Sequence, residues 1–262
     1  MKQRVITAVV ALAIFIPILY FGGIWIDIAA VALALVALSE IFIMRRKIIV
    51  SLEAFIGAIG VVTTVLPAAS FKWLPGTLTQ GDLTGIVIAA LLVLTVTSKN
   101  KTSYDDIGVT ALSIVYIGTG FHYLAAIRNT DGFAMLMFAL LIVWLTDSGA
   151  YTFGRMLGKH KLWPAISPNK TWEGSIGGVV VAMIFAAIYV QFVDLGHSAP
   201  MMMLIAFFLS IWGQLGDLAE SALKRYYGVK DSGKILPGHG GILDRFDSLL
   251  FVLPMIHWFG LV

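Results

Sequence analysis

Residues 24–43 read IWIDIAAVALALVALSEIFI, a stretch of 20 positions that holds two charged side chains. A helix of about 20 apolar residues is what the hydrocarbon core of a bilayer requires. The rest of the chain agrees with this stretch, because 59% of its 262 residues are hydrophobic and 13% are charged. Soluble domains carry about 25% charged residues. The solvent for most of this chain is therefore lipid.

The same apolar pattern recurs along the chain and predicts nine membrane-spanning helices. They cover residues about 5–22, 24–43, 52–70, 85–97, 108–127, 133–150, 175–194, 200–217 and 248–262. No internal repeat or low-complexity tract marks a second domain. We therefore predict an all-α polytopic integral membrane protein with a single transmembrane catalytic domain, residues 1–262. Cysteine is absent, which excludes disulfides and thiolate metal sites.

The distribution of Lys and Arg predicts the orientation in the membrane. Lys2 and Arg4 precede a long apolar run that more spans follow, which indicates a retained helix and not a cleaved signal peptide. With the N-terminus in the cytoplasm, 16 of the 18 basic residues fall on the cytoplasmic side, and only Lys72 and Arg128 fall outside. Such asymmetry is typical of membrane proteins. We expect a multi-pass plasma-membrane protein with its N-terminus inside and its C-terminus outside.

Two cytoplasmic segments, about 144–174 and 214–247, hold the residues suited to chemistry. Acidic side chains at membrane helix ends cost a few kcal/mol each and persist where they pair or bind cations. Five such residues are predicted there: Asp147, Asp217, Glu220, Asp244 and Asp247. Two pairs have i, i+3 spacing and so share a helix face. Together they would form an all-oxygen site suited to Mg²⁺. The alternative is interfacial ion pairing, as of Asp217 with Lys224 or Asp244 with Arg245.

A glycine-rich stretch separates the two acidic pairs. It contains Gly238, Gly240 and Gly241, and it carries Lys230 and Lys234. Glycines allow the backbone to approach an anion and to offer N–H donors, while lysines add point charges for phosphate. A flexible surface loop is the alternative. His239, as a single histidine in this stretch, is more typical of a turn than of a metal ligand.

The segment SPNKT, residues 167–171, resembles a rigid turn that leads into the seventh span. Thr171 or Ser167 would cap that helix, and a helix N-terminus attracts anions. Lys170 would then lie where a phosphate docks. The alternative is a capped loop with a lysine that extends to the membrane surface. Trp144, Trp163 and Trp172 are typical of interfacial anchors.

The second segment resembles the hallmark of the phosphatidate cytidylyltransferases, also called CDP-diacylglycerol synthases. The resemblance rests on SALKR (221–225), KDSG (230–233) and LPGHGGILDRFD (236–247), which cover 27 positions with their spacers. The stretches 167–174 and 214–221, the chain length and the nine spans also fit that family.

The resemblance implies transfer of CMP from CTP to phosphatidate, with release of pyrophosphate and formation of CDP-diacylglycerol. It implies Mg²⁺, with a monovalent cation such as K⁺ beside it, and a homodimer. Carried onto this chain, the metal ligands are Asp217, Asp244, Glu220 and Asp247. The catalytic residues are Asp217, Asp244, Lys224 and Asp247. The substrate contacts are Asn169, Lys170, Ser221, Arg225, Lys230, His239, Gly240, Gly241 and Arg245.

Other classes of membrane protein fit the residues less well. A transporter places ionisable residues near the membrane midplane, whereas the charges here gather at one face. Glu40, Glu53 and Asp194 are interpreted as scattered interfacial charges. The acidic patterns of CDP-alcohol phosphotransferases and membrane prenyltransferases are absent, and a structural scaffold has no need of a charged glycine loop. Nothing in the sequence indicates nucleic-acid binding.

Overall fold

The computed structural model describes residues 2–260. Within that range the chain forms nine α-helices, a short 3₁₀ turn and one β-hairpin. The helices are α1 (Lys2–Phe21), α2 (Ile24–Met44), α3 (Leu52–Val65), α4 (Gln80–Thr97), α5 (Tyr104–Thr130), α6 (Gly132–Leu157), α7 (Trp172–Phe192), α8 (Ala199–Tyr226) and α9 (Leu243–Trp258). The strands are β1 (Lys161–Trp163) and β2 (Ser167–Thr171).

Each predicted span corresponds to one helix, which confirms the all-α polytopic membrane architecture. Six helices, α2 and α4 to α8, are long and apolar enough to cross a bilayer. The third helix is shorter than predicted because Pro67 follows it closely and ends the helical geometry. The last two residues of the predicted ninth span, and the side chains of Lys2 and Arg4, lie outside the described residues. The predicted orientation stays a prediction.

The helices form two compact units. The first contains Met1–Ala126 and Asp231–Asp244. In it, α2 packs against α1 and α3, and α3 packs against α4. Thr79 and Asp82 form a reciprocal capping box that begins α4. That a single catalytic domain includes both units stays a prediction.

The second unit contains Ile127–Lys230 and Arg245–Val262, and α7 packs between α6 and α8 in it. Glycines allow α6 and α7 to approach closely. A Cβ atom on Gly178 would lie 2.6 Å from the carbonyl oxygen of Thr146, and one on Gly174 would lie 2.6 Å from that of Ala150. Small residues at such contacts are typical of membrane helices, since van der Waals packing holds them together in lipid.

A β-hairpin, which was not predicted, connects α6 to α7. The expected turn at residues 167–171 is strand β2, which pairs antiparallel with β1. The prediction that Thr171 caps α7 is confirmed, because its hydroxyl accepts a hydrogen bond of 3.1 Å from the Gly174 N–H. The hairpin therefore fixes the segment that carries Asn169 and Lys170 just before α7 begins.

Candidate active site

A polar cavity of about 440 Å³ lies in the second unit, among α6, the hairpin, α7 and α8. Pockets of this size are typical of small-molecule sites. Three residues singled out as site residues line it: Asn169, Lys170 and Asp217. The acidic Asp147 from α6 lines it too. The hairpin thus contributes a basic side chain, and two membrane helices contribute carboxylates.

An ion pair joins two of the cavity's walls. The Lys170 ammonium lies 2.5 Å from the Asp217 Oδ2 atom, and both side chains are partly exposed. The Ser221 hydroxyl, one turn further along α8, donates a long hydrogen bond of 3.3 Å to the other oxygen, Oδ1. The ion pair with Lys224, considered as an alternative to a metal site, is replaced here by one with a lysine on the hairpin.

A second ion pair lies deeper on α8. Glu220 and Lys224, four residues apart, form a salt bridge, and both residues are buried. The Asp247 carboxylate from α9 interacts electrostatically with Asp217, Glu220 and Asp147. Three of the four predicted metal ligands, Asp217, Glu220 and Asp247, are therefore near enough to repel one another in the second unit, and so is Asp147.

This donor set fits a hard divalent cation that is also held by its substrate. Among residues 2–260, no group of three acidic, histidine or cysteine side chains is arranged as a complete metal site. Mg²⁺ does not require one, since it is usually bound by one or two carboxylates together with substrate phosphates and water. Asp217, with its neighbours Asp147 and Asp247, supplies carboxylate oxygens of this kind.

Asp244 belongs to the first unit, where it begins α9. Its Oδ2 atom accepts hydrogen bonds from the Gly241 N–H at 2.8 Å and from the Ser232 N–H at 2.9 Å. The Ser232 hydroxyl donates to the same atom at 2.9 Å. The pairing with Arg245 was considered from the sequence, whereas these three hydrogen bonds come from the glycine-rich segment. Asp244 instead closes the glycine-rich segment on itself.

Glu40 on α2 holds the same segment from the other side. It is 2% exposed, its Oε1 accepts from the Ile242 N–H at 2.8 Å, and its Oε2 accepts from the Leu243 N–H at 2.9 Å. The Ser232 hydroxyl also contacts Oε2, at 3.0 Å. Glu40 thus caps the start of α9. Its interpretation as a scattered interfacial charge is wrong.

The glycines of this segment are required here by close contacts within the chain, whereas the sequence suggested contacts with phosphate. A Cβ atom on Gly233 would lie 2.6 Å from Glu40, and one on Gly241 would collide with Glu40 and Ser232. Gly240 has a positive φ of 85° and lies against the Asp244 carboxylate. The anions that the N–H groups of this segment contact here are therefore carboxylates of the chain itself. Contact of Gly240 and Gly241 with substrate stays a prediction.

The remaining candidate residues differ in exposure and in their contacts. Arg225 is exposed, and its guanidinium donates to the carbonyl oxygens of Val229, at 2.9 Å, and Ile166, at 3.3 Å. Lys230 and Arg245 are exposed as well. His239 is half-buried, and its backbone N–H donates to the Leu236 carbonyl oxygen at 2.9 Å in a tight turn. The turn agrees with the structural role considered for it.

Several residues that line the cavity were not among the predicted site residues. Tyr151 and Arg155 follow Asp147 at intervals of four on α6, and all three line the cavity. That spacing places side chains on one helix face, so the sequence did carry a signal for them. Gln214 and Ser175 also line the cavity. Glu40 carried no local signal, since it lies 192 positions from Ser232.

The chain is similar to known proteins over nearly its whole length. A model of the cytidylyltransferase family matches residues 2–262. The chain is 46% identical to proteins named phosphatidate cytidylyltransferase from Staphylococcus haemolyticus (strain JCSC1435) and Staphylococcus aureus (strain COL), over 98% of both chains in each case. It is 45% identical to the protein of that name from Staphylococcus saprophyticus, with the same coverage.

Proposed function

The chain belongs to the cytidylyltransferase family, and on that premise we propose that it transfers CMP from CTP to phosphatidate. The products are CDP-diacylglycerol and pyrophosphate, and the place of the enzyme is phospholipid biosynthesis. The relatives named above carry the name of this activity over their whole length.

The observation that carries the proposal is the ion pair of Lys170 and Asp217 inside the polar cavity. A site for two phosphate-bearing substrates needs cations for the phosphates and carboxylates for a metal that neutralises them. The cavity offers both, with Lys170 and Arg155 as cations and Asp217 and Asp147 as carboxylates. Asp147, Arg155 and Asp217 belong to helices that are long and apolar enough to span a membrane, which suits a lipid substrate.

The reaction requires stabilisation of the negative charge on the phosphates, and it does not require a strong base. A phosphate oxygen of phosphatidate forms a bond to the α-phosphorus of CTP, while the bond from that phosphorus to pyrophosphate breaks. The nucleophile is already ionised, so no proton has to be removed. In the bound state Lys170 would contact phosphate oxygens, because a lysine ammonium on its flexible stem can exchange a carboxylate for a phosphate.

A divalent metal ion, when bound, would supply neutralisation of the phosphates and orientation of the leaving group. We propose Mg²⁺, held in the second unit by Asp217 with Asp247 and Glu220 beside it. That Asp244 is also a metal ligand stays a prediction. Lys224 would keep its salt bridge with Glu220 next to that site. The K⁺ ion and the homodimer that the resemblance implies stay predictions.

We further propose that the active site faces the cytoplasm. The support is the distribution of basic residues, since Arg155, Lys170 and Lys224 all belong to the side that carries 16 of 18 Lys and Arg residues. CTP would reach the cavity from water on that side.

The direct test uses the purified full-length protein in detergent with phosphatidate and CTP radiolabelled at the α-phosphorus. We expect labelled lipid that requires both phosphatidate and Mg²⁺. Diacylglycerol in place of phosphatidate is the matched control, because it lacks the attacking phosphate. No labelled lipid from a monodisperse, folded preparation would contradict the proposal, and label that forms equally well in EDTA would contradict its metal part.

A further inference from the structure

An apolar groove of about 390 Å³ runs between α7 and α8 in the second unit. Its walls are Ile176, Val180 and Met183 from α7 with Phe207, Ile211 and Leu215 from α8. Both helices are long and apolar enough to span a membrane. The groove therefore offers a hydrocarbon-lined channel along two membrane helices.

The groove is continuous with the polar cavity. Leu162, Ser175 and Gln214 line both of them. Ser175 and Gln214 form the boundary, where the Gln214 side-chain amide donates to the Ser175 carbonyl oxygen at 3.4 Å. Lys170 and Asp217 lie on the polar side of this boundary, and hydrocarbon side chains alone continue on the other side along α7 and α8. A single molecule with a charged head and an apolar tail would match both halves.

Two tryptophans mark the level of the boundary. Trp163 from β1 and Trp172 from the first turn of α7 line the groove and are each about half exposed. Tryptophan concentrates where hydrocarbon meets the lipid headgroups. The order of features is thus a charged cavity, an aromatic rim and an apolar groove, which is the order of phosphate, glycerol and acyl chain in a phospholipid.

We propose that the α7–α8 groove binds an acyl chain of the lipid substrate while its phosphate lies in the cavity beside Lys170. This inference rests on the proposed function, since it assumes that phosphatidate is the substrate. A membrane helix of another protein is the other occupant to consider. The groove continues into the polar cavity, and this favours the lipid, because an apolar membrane helix would leave the charged side chains of that cavity without a ligand.

The test blocks the far end of the groove. Met183 lies eight residues along α7 from Ser175, a rise of about 12 Å at 1.5 Å per residue. A palmitoyl chain extends beyond this point, whereas a hexanoyl chain ends before it. We expect Met183→Trp to lower kcat/KM for dipalmitoyl phosphatidate about tenfold or more. The same variant should leave dihexanoyl phosphatidate and the KM for CTP within about twofold of the parent.

The matched control is Ile188→Trp, on the same helix. Ile188 is 54% exposed and does not line the groove. The same bulky side chain at this position should therefore leave kcat/KM unchanged for both phosphatidates. Equal losses for both chain lengths in Met183→Trp, or an equal loss in Ile188→Trp, would overturn the groove assignment. An inactive parent protein would instead contradict the proposed function, so the two failures are distinguishable.

A second measurement needs no substitution and covers the case in which Met183→Trp does not fold. The parent protein is irradiated with long-chain phosphatidate that carries a photoreactive diazirine at the end of one acyl chain, and the labelled peptides are identified by mass spectrometry. We expect label on α7 near Met183 or on α8 near Phe207. Label that is confined to other helices would overturn the inference.

Discussion

Carboxylates in the two units are held in opposite ways. In the second unit, Asp217 pairs with Lys170 in the polar cavity, and the buried Glu220 pairs with Lys224 on the same helix. In the glycine-rich segment of the first unit, carboxylate oxygens accept hydrogen bonds from backbone N–H groups and one serine hydroxyl. A lysine can move to another anion by rotating its own side chain. A backbone N–H group of the glycine-rich segment, in contrast, moves only when the segment itself moves.

The difference predicts different duties. The carboxylates of the cavity can exchange their lysine partners for a metal and phosphates when substrate binds, so they are suited to chemistry. Glu40 is suited to fixing the shape of the segment that begins α9. Asp244 combines the two features, because a backbone-bonded carboxylate is also the predicted metal ligand. Four substitutions test this contrast, in order of expected effect.

Asp217→Asn should have the largest effect. Metal-ion catalysis is worth several kcal/mol, and each 1.4 kcal/mol is about tenfold in rate, so we expect kcat/KM to fall by at least about 100-fold. The amide keeps the size of the side chain but not its charge, and thermal stability should change little. Asp194→Asn is the control, since Asp194 is exposed and lies outside the cavity. Near-parental activity of Asp217→Asn at limiting Mg²⁺ would exclude it as a ligand.

Lys170→Met should come next. A hydrogen bond to a charged group is worth about 1.5–3 kcal/mol, which corresponds to a rise of about 10–100-fold in the KM of the phosphate-bearing substrate that it contacts. Lys170→Arg keeps the positive charge and should recover part of the loss. Initial rates measured with CTP and phosphatidate varied in turn would show which substrate is affected. If Lys170 only neutralises Asp217, both variants will leave each KM unchanged.

Glu40→Gln should weaken the segment in the first unit. One oxygen is replaced by an NH₂ group, which would face the backbone N–H of Ile242 or Leu243 and leave it without an acceptor. Such a loss costs about 1–3 kcal/mol, so the unfolding temperature should fall. Because the segment orients Asp244, we also expect about a tenfold rise in the Mg²⁺ concentration for half-maximal activity. A lower unfolding temperature with unchanged Mg²⁺ dependence would assign Glu40 to stability alone.

Glu53→Gln should have the smallest effect on activity. Glu53 is buried in the first unit, where its Oε1 accepts from the Arg45 guanidinium at 3.1 Å and from the Thr110 hydroxyl at 2.6 Å. We expect a stability loss of about 1–3 kcal/mol with kcat/KM and Mg²⁺ dependence unchanged. This variant is the reference for Glu40→Gln, because it removes an equally buried carboxylate that is not bonded to the glycine-rich segment. A changed Mg²⁺ dependence here would show that such effects are general.

The sequence predicted the helices well and the partners of the site residues less well. Each of the nine predicted spans overlaps one helix of the structure, because hydropathy and length are local properties that lipid enforces on every segment. The capping role of Thr171 was local too, and the structure confirms it. The hairpin at Lys161–Trp163 and Ser167–Thr171 was missed, since its short polar strands carry little apolar alternation.

Pairings over long sequence distances could not be predicted. Lys170 and Asp217 were both candidate residues, yet nothing in the sequence joined them. The ion pair considered for Asp217 was with Lys224, which is nearer along the chain. Helical spacing finds partners three or four residues apart, as it did for residues of α8. A contact between a hairpin and a helix depends on how α6, α7 and α8 pack. The close approach of α6 and α7 rests on glycines whose neighbours are known only in three dimensions.

The amino-acid sequence by itself determined that this chain is a membrane protein and where its helices lie. It also singled out the acidic residues at the helix ends. These follow from composition and short-range periodicity, which act within single segments. Only the tertiary structure decided that Glu40 holds a segment 192 or more positions away, and that the polar cavity continues into an apolar groove. The reason is that burial and hydrogen bonding are satisfied between segments, and the partners that satisfy them are chosen by packing.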